Sequence, residues 1–439
     1  MNPSDTTTSE LPPPEAPDMQ RPRSTGRFTS EVMAGGSVVE KADDELVGGW
    51  RGAAGVLAIV VLIGVLGLFS IWWLVFVVGI LVAIFLHELG HFSTARWTGM
   101  KATQFFIGFG PRVWSFRRGE TEYGVRALPL GAFVRIIGMN NMDEVEPEDE
   151  DRTYRSKSYP RRMLVITAGS IMHMLLAIVL LFTVYVADGE TYAAGAEIGM
   201  VAQGGPADSA GLQSGDIVVA IDGQTVQQSS DLGDIIQAND PQATLAFAVV
   251  RNGQSVEIPV VLVANTDQES PLFGKPDIGV SSGGHFETIE HSVPAAAVNA
   301  VTDIFPTSWE MTKGAVKVLN PVNILTHLAG TNDDLETRPT TLVGVTGLSD
   351  DVGESQGLIG ILYLLAVLNV FIGVFNMFPL LPLDGGHAAI ATYERLRERN
   401  GERYYADVAK MMPFAMAVMT VLLFLFMSGL YLDITDPLG

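Results

Sequence analysis

Leu86-His87-Glu88-Leu89-Gly90-His91 closes an apolar run that begins at Ala53. On a helix, His87 and His91 lie one turn apart on the same face. Two imidazoles so placed can fill two corners of a Zn²⁺ tetrahedron, with Glu88 beside them to handle a proton. Ionisable groups at the end of an apolar run are costly and normally carry function. Two satisfied histidines at a helix end would be the bland alternative, and the apolar setting weighs against it.

The run also decides the class of protein. A spanning helix needs about 20 apolar residues. Ala53–Leu86, Met163–Ala187, Gly357–Leu383 and Met411–Leu432 all qualify. The first, at 34 residues, would reach roughly 50 Å as one helix. It reads either as one tilted span or, preferably, as two spans meeting near Ser70, Trp72 and Trp73, because tryptophan favours the membrane interface.

Composition agrees. The 439 residues are 48% hydrophobic and 17% charged, with a net charge of −22. That balance argues against a nucleic-acid partner, which needs a cationic footprint. With no cysteine, thiolate chemistry, disulfides and Cys-ligated metals are excluded. A metal must be held by His, Asp and Glu.

A third ligand has to come from elsewhere in the chain. Thr94 and Trp97 stand where a metzincin would carry Gly and His. Asp384 closes the third apolar run within Asn376-Met377-Phe378-Pro379-Leu380-Leu381-Pro382-Leu383-Asp384-Gly385-Gly386-His387, and it is the only acid between Glu354 and Glu394. A carboxylate in that setting, followed by two glycines that permit close backbone approach, reads as a ligand. Its alternative is a helix cap in the interface.

Loop charges set the orientation. Residues 92–163 hold twelve Lys and Arg, whereas 188–356 hold five against 23 acids, and 390–410 is basic again. The basic loops are expected in the cytoplasm and 188–356 outside it. Residues 1–48, rich in Pro, Ser, Thr and acids, read as a disordered tail. Residues 49–71 are the extra N-terminal span if there is one.

The external segment opens with strand-like runs at Glu197–Ala202, Ile217–Ile221, Ala243–Val250 and Val256–Val263, and helices at Pro206–Gly211 and Ser230–Gln237. Gly205-Pro206-Ala207, Ala210-Gly211-Leu212, Gly215-Asp216-Ile217 and Ile221-Asp222-Gly223 make residues 190–282 resemble a PDZ domain. Such a domain binds a peptide or protein C-terminus by adding a strand to its sheet edge. Residues 283–356 follow as an amphipathic surface segment, with one helix expected over Pro294–Lys317.

Taken in order, the His87-Glu88-x-x-His91 helix, the Asn376-x-x-Pro379…Leu383-Asp384-Gly385 segment and a PDZ-like region between the central spans resemble the bacterial site-2 protease family, of the RseP type. Phe106-Ile107-Gly108-Phe109-Gly110-Pro111 and Leu128-Pro129-Leu130-Gly131-Ala132-Phe133-Val134-Arg135 match the segment that follows the zinc helix there. The resemblance covers about 72–432. It implies a polytopic α-helical membrane protein of four core transmembrane helices, with room for a fifth at the N-terminus. A membrane-associated β-hairpin and an extracytoplasmic α+β PDZ domain complete that fold. The two halves of the protease core would be 72–187 and 357–432, and the bacterial cytoplasmic membrane its location.

The same resemblance implies one Zn²⁺ per chain on His87, His91 and Asp384, with Glu88 as general base and Asn376 assisting substrate or intermediate. The hairpin strands, expected at Thr121–Arg126 and Ala132–Ile137, would present substrate through Ala132, Phe133, Val134 and Arg135. The substrate would be a transmembrane segment of a single-span protein, an anti-sigma factor already trimmed outside.

Two departures stand out. The family's Gly-Pro-x-x-Asn is here Gly169-Ser170-Ile171-Met172-His173. His173 is therefore either a hydrogen-bonding replacement for that Asn or a packed core histidine. The usual Gly-Gly-Tyr is Gly131-Ala132-Phe133, which removes a hydroxyl. His387 fits a role behind the ligands. The competing reading is a non-proteolytic scaffold that binds peptides through its PDZ domain. Glu88 discriminates against it, since metal binding alone does not need that carboxylate.

Overall fold

The computed structural model describes residues 48–139, 143, 145–268, 272–332, 334, 337–399 and 403–437. The expected disordered tail, apart from its last residue, lies outside them. The chain forms two compact units. One comprises the chain up to Met174, Met311–Asp351 and everything from Asn369; the other comprises Leu175–Glu310 and Val352–Leu368.

Helices α1 (Gly49–Phe69) and α2 (Ile71–Trp97) divide the long first run. The break is one residue. Ser70 is extended at φ −151°, ψ 132°, and its hydroxyl accepts from the Trp72 and Trp73 backbone N–H groups at 3.0 and 3.3 Å. That is a helix N-cap, and it needs no turn sequence. The Ser70 hydroxyl in turn donates to Asp350 Oδ1 at 2.5 Å.

Strands β1 (Ala102–Arg118) and β2 (Thr121–Ile136) follow. They differ from the expected hairpin. Residues 104–107 of β1 pair on one side with 132–135 and on the other with 122–125, while 112–118 pairs with 121–126. Two long bent strands thus give four segments in the order 132–136, 102–109, 121–126, 112–118; the outer two pairings are antiparallel, while 104–107 and 122–125 run in the same direction. The segments 121–126 and 132–136 do not pair with each other. Both flank 104–107, and 132–136 becomes a free sheet edge.

A 3₁₀ turn (Pro147–Arg152) leads to α3 (Tyr159–Ala187). The second unit then opens with β3 (Glu190–Val201), α4 (Pro206–Ala210), β4 (Ile217–Ile221), β5 (Gln224–Thr225), α5 (Ser229–Gln237), β6 (Thr244–Arg251), β7 (Gln254–Val261), β8 (Val263–Ala264), β9 (Pro276–Asp277) and β10 (Val280–Ile289). The main sheet is antiparallel in the order β10-β3-β4-β6-β7, with β5 on β4. Gly211 ends α4 at φ +90°, a conformation that favours glycine. Alternate residues of the strands, among them Ile198, Val218, Phe247, Val249 and Val260, fill one core with Leu232 and Ile236 of α5. β10 was not expected, and it carries the sheet to Ile289, past the anticipated boundary at 282. The segment from 283 therefore begins as a strand.

Six more helices follow, and the sequence placed them only approximately or, for two of them, not at all. The single helix expected over Pro294–Lys317 is two, α6 (Val293–Thr302) and α7 (Ile304–Val318), separated at Asp303. Pro306 lies in the first turn of α7, where a missing N–H is tolerated, so a new helix start is cheaper than one continuous helix. α8 (Pro321–Leu328) precedes α9 (Leu342–Asn376), which is kinked at Gly357 (φ +66°). The third apolar run therefore stops being helical at Asn376, not Leu383, and α10 (Asp384–Arg397) starts after a turn. Last comes α11 (Val408–Thr435). Five helices among the described residues, α1, α2, α3, α9 and α11, are long and apolar enough to cross a membrane.

Candidate metal centre

Within the first unit, α2 supplies His87, Glu88 and His91. One helical turn brings the two Nε2 atoms to 3.0 Å. Asp384 is the first residue of α10, and its Oδ2 lies 3.5 Å from His87 Nε2 and 3.3 Å from His91 Nε2. The turn from Met377 to Leu383 folds directly onto this helix start. A Cβ on Gly385 would stand 2.2 Å from the Met377 and Phe378 carbonyl oxygens, so only glycine permits the approach.

These three side chains are the only group of three His, Asp or Glu residues among those described whose donor atoms could share a metal ion. The separations suit zinc. Tetrahedral bonds of about 2.05 Å set donor atoms about 3.3 Å apart. Asp384 Oδ2 is buried without a hydrogen-bond partner among the described residues, which a metal ion would satisfy.

The surroundings orient the candidate ligands. His91 Nδ1 donates to the Val165 carbonyl of α3 at 2.7 Å, which fixes the proton on Nδ1 and turns the Nε2 lone pair towards the site. Gly169, one turn further along α3, lies against both imidazoles. A Cβ there would be 2.3 Å from His87 Cε1 and 2.5 Å from His91 Nε2.

His173 is 2% exposed, and its ring lies tilted against that of His87, with 5.0 Å between centroids. Its Nδ1 lies 2.8 Å from Asn369 Oδ1 on α9, so the imidazole N–H donates to the amide. His173 is thus both packed and hydrogen-bonded, and it touches the His87 imidazole.

A cavity of about 230 Å³ opens at the three donors. Glu88, Asn376 and His387 line it, as do Phe133 and Val134 from the free edge of β2. The Glu88 carboxylate faces the Val134 backbone N–H. Ala132 is buried and Arg135 lines a different cleft, with Lys101 and Glu120, so of the four expected strand residues two reach this cavity.

Sequence reasoning missed Asn369, the Val165 carbonyl and Asp143. A lone polar residue in an apolar helix was the available signal for Asn369. Asp143 also lines the cavity and accepts from the Gly138 N–H at 3.1 Å. Burial pushes its carboxyl above the usual range, against the pull of Arg135 and Arg155.

Zinc metalloprotease Rip1 of Mycolicibacterium smegmatis is 29% identical over 407 residues, covering 85% of this chain and 99% of that protein. Zinc metalloprotease Rip1 of Mycobacterium tuberculosis is 29% identical over 397 residues, covering 83% and 97%. Among solved structures, the PDZ domain of an SdrC-like protein from Listeria innocua aligns at 26% identity over 22% of this chain and 99% of its own, with a TM-score of 0.18. The profile of Peptidase family M50 matches residues 75–420, from the start of the histidine helix to the middle of the last apolar helix. With that match spanning most of its length, the chain belongs to peptidase family M50, the site-2 protease family.

Proposed function

We propose that the protein is an intramembrane zinc metalloprotease that hydrolyses peptide bonds within the transmembrane segment of a single-span protein. One zinc ion per chain would be held by His87, His91 and Asp384. The observation that carries the reading is the convergence of three donor atoms with an adjacent carboxylate, Glu88, in a cavity bordered by a free strand edge. The zinc naming of both Rip1 relatives agrees with the donor set.

When bound, such an ion supplies Lewis acidity, activating water and polarising the scissile carbonyl. Glu88 takes a proton from the attacking water and delivers it to the departing amine. Asn376 donates a hydrogen bond to the oxyanion as it forms. His387 and the His173–Asn369 pair hold the ligand side chains in place.

A transmembrane helix hides its peptide bonds in its own hydrogen bonds, so the substrate must unwind before attack. The edge 132–136 can take it up as an added strand. Alternation along that strand points the Ala132 N–H the same way as that of Val134. The second unit's sheet, read as an extracytoplasmic PDZ domain, binds a peptide or protein C-terminus and filters substrates by size. An anti-sigma factor trimmed outside the bacterial cytoplasmic membrane fits these requirements.

The test is cleavage of a trimmed single-span reporter in reconstituted vesicles, at matched zinc content. Glu88→Gln should lower turnover by about 10²- to 10⁴-fold, the usual worth of a general base. Ala132→Pro should slow cleavage while zinc stays bound. Full activity of Glu88→Gln would refute the base assignment, and full activity of Ala132→Pro would refute strand addition.

A further inference from the structure

A second cleft in the first unit, about 480 Å³, opens where the chain enters α3 and again where it approaches α11. Arg155, Lys157, Arg162, Arg395 and Arg403 line it. Arg155 forks onto Glu150 at 2.8 and 2.6 Å, Arg162 pairs with Glu394 at 2.5 Å, and Arg395 pairs with Glu398. The two remaining cations rest on neutral groups. Lys157 Nζ donates to the Asp151 carbonyl and Arg403 to the Ser156 carbonyl, both at 2.7 Å, and among the described residues neither is in an ion pair. Two positive charges are therefore in excess of the paired carboxylates.

Two further features point to an anion. Arg162 is 5% exposed, yet its Nε has no hydrogen-bond acceptor among the described residues. Ser158 and Tyr159 also line the cleft and mark the start of the 29-residue helix α3, the end of a helix that favours negative charge.

The setting identifies which anion. Tyr404 and Tyr405 line the same cleft, and Leu396 nearby in the chain is 78% exposed. Tyrosines and an exposed leucine at the mouths of two long apolar helices suit the headgroup layer of a bilayer. Basic clefts between such helices on the cytoplasmic side bind anionic headgroups.

We propose that this cleft holds the phosphate headgroup of an anionic phospholipid, anchoring the starts of α3 and α11 to the membrane surface. The proposal rests on those two helices crossing the membrane and is independent of the peptidase reaction.

The test is native mass spectrometry of the full-length protein released from nanodiscs of phosphatidylglycerol and phosphatidylcholine in equal parts. The wild type should retain phosphatidylglycerol in preference to phosphatidylcholine. Each surplus charge removed should weaken retention about fivefold, so Lys157→Gln with Arg403→Gln should lose about 25-fold. Zinc content, measured on the same samples, confirms that the variant is folded, and Arg251→Gln with Lys275→Gln in the sheet domain is the charge-matched control. Equal retention of the two lipids, or equal loss in the control, would overturn the proposal. So would full displacement of phosphatidylglycerol by millimolar inorganic phosphate, which would assign the cleft to a free anion instead.

Discussion

The sheet domain is built from one continuous stretch, Glu190–Ile289, whereas the candidate metal centre draws on five: α2, the β2 edge, the loop at Asp143, α3 and the segment from the end of α9 into α10. In the sheet domain, neighbours in sequence become neighbours in space through short turns, and what they share is a dry core. The metal centre gathers a few polar atoms whose spacing matters to tenths of an ångström. The first arrangement tolerates changes of side chain that keep volume. The second tolerates almost none, because a side chain at Gly169 would strike both imidazoles and one at Gly385 the backbone of the turn before Asp384. Stability and chemistry therefore rest on separate sets of residues, and three experiments probe how separate they are.

The largest effect is expected from Phe247→Ala. Phe247 is fully buried in the sheet core, and truncating a buried phenylalanine costs about 3–5 kcal/mol. The melting transition of the sheet domain should fall sharply while zinc content holds. A parallel loss of zinc would break the distinction.

Gly169→Ala should do the opposite. Its new methyl group would meet both imidazoles, and displaced ligands of this kind weaken metal affinity by about 10- to 100-fold. Zinc titration against a competing chelator would measure this, and the sheet domain's melting should not move. Unchanged affinity would mean that α3 can slide away from α2 at little cost.

The smallest effect is a pH dependence confined to the sheet domain. Asp216 is 1% exposed. Burial pushes its carboxyl up, but the Arg251 fork, with both contacts at 2.6 Å, and the Gln213 N–H pull harder, leaving it below its usual range. A carboxyl lowered in the folded state stabilises it above the unfolded value, near 3.9, and that stability is lost as pH falls further. Unfolding followed from pH 6 to pH 2 should show a drop below about pH 4 that Arg251→Gln reduces. An unchanged profile in that variant would remove the pair from the account.

Much of the centre was legible in the sequence. His87, Glu88 and His91 sit within a single helical turn, so spacing alone implies proximity. Asp384 could be found because it is the lone acid in a long apolar stretch. Asn369 could have been found by the same logic. The Val165 carbonyl could not, since a backbone group leaves no mark on residue identity. The β-strand pattern gave the positions of β4, β6 and β7 to within two residues, yet it gave no sign that residues 104–107 would pair on both sides.

Hydropathy, helical spacing and turn chemistry are local, and from them the sequence by itself determined the long apolar helices, the histidine pair with its carboxylate, and a sheet domain between the helices. Tertiary structure alone decided which strand edge faces Glu88, where the third apolar helix ends before Asp384, and which carbonyl fixes the proton of His91. Those outcomes depend on hydrogen bonds and close approaches between segments far apart in the chain. No local pattern encodes them, because each becomes favourable only when the other segment is already in place.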